Sequence, residues 1–167
     1  MWGKYWISLI WKDRSSIGGW KSDWVDEMSR KGRCESMLKQ AQEKRKTELH
    51  KNFLNCEIAV YCQQLDYGYE IRILGGQRSH VGAVTVSDEQ GDLQTIVLPG
   101  HKEDVITRKW AEQIWELVKQ PVSVLVGVYY DNLEKEQLME VIRILDQLLE
   151  NLEQELRLRN TKCSQNV

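Results

Sequence analysis

The sequence predicts an α+β domain built on a mainly antiparallel five-stranded sheet. The element order is β-β-β-β-α-β-α, with both helices on one face and an irregular N-terminal extension in front. Three observations carry this. Four short runs between residues 57 and 98 show strand-like patterning and are separated by turn residues. A β-branched run that is apolar on both faces, Val122–Tyr130, reads as a central strand. Two segments with apolar residues at helical spacing flank that run.

The elements follow in order. Glu57–Leu65 (EIAVYCQQL) and Tyr69–Leu74 (YEIRIL) alternate as half-buried strands do, with the turn Asp66-Tyr67-Gly68 between them. Gly75-Gly76 ends the second strand. Val81–Ser87 is the third strand, Asp88–Asp92 a turn, and Leu93–Leu98 the fourth strand, stopped by Pro99-Gly100. Glu103–Gln120 places Ile106, Trp110, Ile114 and Leu117 on one helical face. Glu103 and Asp104 open this helix and Lys119 closes it, as the helix dipole favours. Pro121 separates it from Val122–Tyr130. Asp131–Arg159 is the last helix, with Asp131 and Glu134 at the spacing of a capping arrangement. Leu138, Ile142, Leu145, Leu149, Leu152 and Leu156 form a heptad seam, widened by Val141 and Leu148. Packing on its own sheet is the simpler reading of so wide a stripe. Yet some 25 residues at about 1.5 Å each span roughly 38 Å, more than a short strand needs. Ile142, Leu149 and Leu156 are therefore candidates for contact with a partner or a second subunit, and a homodimer is expected.

The organisation expected is an extension and linker helix over 1–52, the domain over 53–159, and a frayed tail over 160–167. Residues 1–36 hold five of the seven tryptophans, Trp2, Trp6, Trp11, Trp20 and Trp24, read as anchors for a loosely structured arm. Met28 and Met37 offer alternative translation starts. Residues 36–50 are helix formers on a polar surface. Residues 1–52 are net +5 and the rest net −7. With acids interrupting the basic residues and a total of −2, neither nucleic acid nor a membrane is expected as a partner. No run approaches the roughly 20 apolar residues of a membrane span, and no secretory signal is read, so the expected location is the cytoplasm. Cys34, Cys56, Cys62 and Cys163 form no CxxC pair and are read as free thiols, with Cys56 and Cys62 on or beside a strand.

A meander of the first four strands, with the fifth returning parallel to the fourth, would gather three polar motifs at one end of the sheet. These are Ser79–Val84, Leu98–Asp104 and Tyr129–Asn132. Both helices would begin there too, presenting unpaired N–H groups and partial positive charge. Beside Gly75, Gly76 and Arg78, with His80, His101 and Lys102 as donors, this end fits a phosphate or carboxylate. His80, His101 and Asp131 have the residue types of a facial metal triad, but no spacing supports it and no metal is assigned. A His101–Asp131 acid–base pair is the corresponding enzymatic alternative. No P-loop, GxGxxG or nucleophile motif is present, and no catalytic residue is assigned.

The segments GGQRSHVGAVTV, TIVLPGHKEDVITRKWAEQI and VSVLVGVYYDNLEKEQL together resemble the LpdD-like prenylated-flavin chaperone family. The shared features are a histidine before a Gly-Ala strand, an LPGH-x-E-D turn and a DN pair before the last helix. The resemblance covers roughly residues 55–155. It implies an αβ domain similar to proteasome-assembly chaperones and a non-catalytic role beside a UbiD-type decarboxylase, holding prenylated FMN or FMN or assisting its delivery. By motif, it carries over His80, Gly82, Pro99, Gly100, His101, Glu103, Asp104, Asp131 and Asn132. Where the family pattern reads Gly-Ile-His before the DN pair, this chain has Val128-Tyr129-Tyr130, and a phenol does not titrate near neutrality. The alternative role is a protein-assembly chaperone that binds only a protein.

Overall fold

The computed structural model describes residues 45–164, with side chains through residue 161. The Trp-rich arm, Cys34 and the first part of the expected linker helix lie outside the described residues, as does the side chain of Cys163. Six strands and two helices follow in order: β1 Lys46–Phe53, β2 Cys56–Gln64, β3 Tyr69–Gly76, β4 Arg78–Ser87, β5 Leu93–Val97, α1 Asp104–Val118, β6 Val122–Tyr129 and α2 Lys135–Ser164.

The first difference from expectation is β1. Lys46–His50 was expected at the end of a helix and is extended instead. Thr47, Leu49 and Phe53 turn at least partly inward, and the strand pairs with β2 along its whole length, from Lys46↔Gln63 to Phe53↔Cys56. Leu54 and Asn55 make the two-residue connection with φ of 50° and 59°, the left-handed pair that a tight hairpin requires. Helix propensity is a weak preference, and a full ladder of cross-strand bonds overrides it. The sheet therefore has six strands, not five.

The second difference is strand order, which is β1-β2-β3-β6-β4-β5. The first four strands do not form a simple meander. β6 inserts between β3 and β4, parallel to β3 (Tyr69↔Val122 to Gly76↔Tyr129) and antiparallel to β4. Gln77 alone joins β3 to β4, and its N–H donates to Tyr129 O at 2.7 Å, so the chain passes over the end of β6. Strand directions are unchanged by the insertion. The ends of β3, β5 and β6 therefore still meet at one end of the sheet.

Alternate residues of three strands, Ile58/Val60/Cys62, Tyr69/Ile71/Ile73 and Val122/Val124/Val126, form the sheet side of the core. Trp110, Ala111 and Ile114 of α1 cover it, as do Val141, Ile144, Leu145, Leu148, Leu149, Leu152 and Leu156 of α2. The heptad seam is thus mainly a core stripe. Leu149 and Leu156, expected as partner contacts, are buried in their own subunit. The length of α2 has a local reason: Arg159 Nη2 donates to Lys46 O at 2.6 Å, so the helix extends as far as the additional strand β1. Asp131 does not cap α2, which starts four residues later. There Gln137 accepts from Glu134 N–H at 2.9 Å, the reach-back half of a capping box.

Cys62 is buried and free, and Cys56 is partly exposed and free. Burial pushes the Cys62 thiol up to about 12, with Arg159 pulling the other way. At pH 8 only about one Cys62 in 10⁴ is a thiolate, the reactive form. Cys62 is expected to resist iodoacetamide in the native protein and to react once urea unfolds it. Peptide mass spectrometry of the alkylated chain checks this, and rapid native labelling would refute it.

Candidate functional site

The site begins with an irregularity in β4. Ser79 pairs with Val128 and Ala83 with Val126, so three residues of β4 stand opposite Gly127 alone. Such a bulge re-aims side chains, here that of His80. Gly127 makes it possible: a Cβ there would lie 1.7 Å from the His80 carbonyl oxygen.

His80 meets the loop that leads into α1. Its Nε2 is 3.2 Å from His101 Nδ1 and 3.1 Å from Glu103 Oε1. His101 Nδ1 lies 3.4 Å from Glu103 Oε2. The two imidazole rings are 4.7 Å apart at their centroids and tilted by 33°. All three side chains are mostly buried, Glu103 to 15% exposure. Burial works against the Glu103 charge, but hydrogen bonds from the Lys102 and Glu103 N–H groups, together with His101, outweigh it. The carboxyl is held below its ordinary range. Gly82 leaves room for this group, since a Cβ on it would come within 2.7 Å of the Glu103 carboxyl carbon.

A second cluster adjoins the first. The Tyr129 hydroxyl donates to Asp131, and Asp131 N–H donates to Gln77 Oε1 at 2.7 Å. The bond to Asp131 raises the Tyr129 phenol above its usual range, opposed by Arg78. The Arg78 guanidinium sits 5.8 Å from the Tyr129 ring centroid, and the His80 ring is edge-on to the same ring. Tyr130 turns towards β1: its hydroxyl donates to Phe53 O at 3.3 Å, and burial raises its phenol.

A cleft of about 350 Å³ lies beside His101, Lys102 and Glu103. Its apolar wall includes Ile106, Val128, Leu133, Leu138, Val141 and Ile142, with Tyr129 and Tyr130 also lining it. Lys102 makes no ion pair among the described residues.

The expected residues divide as follows. His80, Gly82, His101 and Glu103 come together, while Gly100 and Lys102 line the cleft next to them. Asp131 is engaged by Tyr129 and Gln77, so the geometry favours neither a His80–His101–Asp131 triad nor a His101–Asp131 pair. Asn132 supplies a left-handed turn with φ of 52°. Gly75 and Gly76 have sheet reasons of their own: a Cβ would come 2.1 Å from Glu57 O in one and 2.2 Å from Tyr129 O in the other. The helix N-termini are partly served from within, by the acidic Asp104 in the first turn of α1 and by Gln137 at α2, while Glu103 makes no side-chain cap. Arg78 and Lys102 are thus left as the groups for an anion. Of Ile142, Leu149 and Leu156, only Ile142 reaches the surface, 39% exposed at the cleft.

Sequence reasoning passed over Gly127 and the apolar cleft. The signal for Gly127 was there: a lone glycine within VSVLVGVYY marks a bulge or a close backbone approach. The cleft left no signal of its own, because its lining comes from three separate stretches of chain, 100–106, 128–133 and 138–145.

These features define a small αβ domain with a half-buried His-His-Glu cluster beside an apolar cleft. The family model described as the prenylated flavin chaperone LpdD-like domain matches residues 52–157, and the chain belongs to that family. The expected family and α+β class are therefore correct. Among solved structures, a chain from a chaperone complex for yeast 20S proteasome assembly is similar, at 16% identity and a TM-score of 0.43. The match covers 67% of this chain and 98% of that one. A search of curated proteins finds no match. No described helix is long and apolar enough to cross a membrane.

Proposed function

We propose that this protein is a non-catalytic accessory chaperone that holds prenylated FMN, or FMN, and assists its delivery to a UbiD-type decarboxylase. The observation that carries the proposal is the cleft. A volume of about 350 Å³ lies within the roughly 300–1,000 Å³ of small-molecule sites. Its apolar and aromatic wall suits a flat ring system, and Lys102 at its border suits a phosphate. Membership of a family described as prenylated flavin chaperones supports a flavin as the ligand, and the UbiD-type recipient is part of the proposal.

FMN titration of the purified chain, followed by flavin fluorescence, tests this. His101→Ala and Lys102→Glu are each expected to weaken binding at least about tenfold, the scale of a lost charge-assisted hydrogen bond. Thermal melts confirm that the variants are folded. Binding unchanged in both variants sinks the proposal.

A second reading, a chaperone that grips only a protein, is favoured by one observation. Edge strand β5 exposes Ile96 to 71%, opposite the half-buried Val84 and diagonal to the exposed Val86 of β4. It predicts no FMN binding by the wild-type chain, so the same titration decides between the two.

A further inference from the structure

We infer that His80, His101 and Glu103 form a binding site for one divalent transition-metal ion. Two imidazoles and one carboxylate form a mixed nitrogen–oxygen donor set. It suits zinc, iron, cobalt, nickel or manganese better than calcium or magnesium, which prefer oxygen alone.

Distance is the first argument. Metal–ligand bonds of about 2.0–2.2 Å at tetrahedral or right angles put neighbouring donor atoms about 2.8–3.6 Å apart. With Glu103 Oε1 as the carboxylate donor, its separations from His80 Nε2 and His101 Nδ1 are 3.1 and 3.5 Å, and the two nitrogens are 3.2 Å apart, all inside that window. Hydrogen bonding alone serves the cluster poorly. His80 Nε2 faces a nitrogen and an oxygen at once and carries at most one proton. A cation among the three accepts one lone pair from each donor atom and needs no proton between them.

Support around the donors is the second argument. They come from two separate parts of the fold, His80 from the bulge in β4 and His101 and Glu103 from the loop into α1. Lys102 N–H donates to Glu103 Oε2 at 2.9 Å, orienting the carboxylate as outer hydrogen bonds do around metals. Gly82 provides space for that carboxylate. Three protein donors leave coordination positions for water or an oxygen anion, and His101 and Glu103 both border the cleft. The ion binds without flavin. Its role in receiving a ligand's phosphate rests on the function proposed above.

The test uses the full, untagged chain, stripped with chelator and titrated with Co(II). One equivalent is expected, with visible d–d absorption and no thiolate charge-transfer band. His80→Ala and Glu103→Gln each weaken binding at least about tenfold. His50→Ala, which removes the remaining histidine, does not. Gln keeps the shape of Glu103, and melts without metal show that the variant folds, so its loss of binding reports ligation. The inference is overturned by no saturable binding near one equivalent, by undiminished binding in both variants, or by a thiolate band. Intact Co(II) binding in a chain that does not bind FMN supports the metal site and removes the flavin reading.

Discussion

Gly127→Ala is expected to destabilise the protein by more than about 3 kcal/mol, beyond the usual cost of an extra methyl group in a packed interior. The new Cβ would stand 1.7 Å from the His80 carbonyl oxygen and 2.5 Å from its carbon. Both are backbone atoms held by the sheet, so no rotamer change relieves the clash. Either the bulge flattens or β4 and β6 part at Gly127, and both routes move His80 away from His101 and Glu103. Gly82→Ala makes the contrast. Its Cβ would meet only the far end of the Glu103 side chain, which can swing away. It should therefore leave stability nearly intact while displacing the carboxylate. Thermal melts of the two variants distinguish the cases, with a drop on the order of 10 °C expected for Gly127→Ala. A native-like melt for Gly127→Ala would show that the bulge is not rigid, and the account of how His80 is aimed would fail.

Much of the fold was legible because its signals are local. Tyr69–Leu74 alternates and becomes the core of β3, and the Ile106–Leu117 stripe of α1 faces the sheet. What stayed hidden depends on partners distant in sequence. Lys46–Phe53 is rich in charged and polar residues and earns its strand conformation only by pairing with β2. The place of β6 between β3 and β4 is likewise a matter of long-range choice. The apolar character of Val122–Tyr129 signalled a central strand but not its neighbours. The site was legible in part for a simple reason: inserting β6 alters strand order and not strand direction. His80 and His101, 21 residues apart, therefore still meet. The third member of their cluster was harder to see. Glu103, at the start of α1, looks like an ordinary dipole-favoured acid, and only the bulge in β4 brings His80 to it.

Leu149→Ala, the second substitution with a large expected effect, separates the two faces of α2. Leu149 is 2% exposed and belongs to the core cluster, so its truncation should cost about 2–5 kcal/mol. Against a typical total of about 5–15 kcal/mol, that is a substantial part of the stability. A coiled-coil seam predicts something else: a change in oligomeric state, with the monomer fold largely spared. Ile142→Asp is the companion variant. Ile142 lies two turns earlier at the border of the cleft, and a charge there remains in water. Its stability cost should stay near the ±0.5 kcal/mol of ordinary surface changes, while FMN affinity falls because a carboxylate now stands at the apolar wall. Urea melts, gel filtration and FMN titration of both variants give the comparison. Destabilisation by Leu149→Ala with an unchanged elution volume supports a helix whose leucines serve its own sheet. An elution shift without destabilisation would return those leucines to a subunit interface.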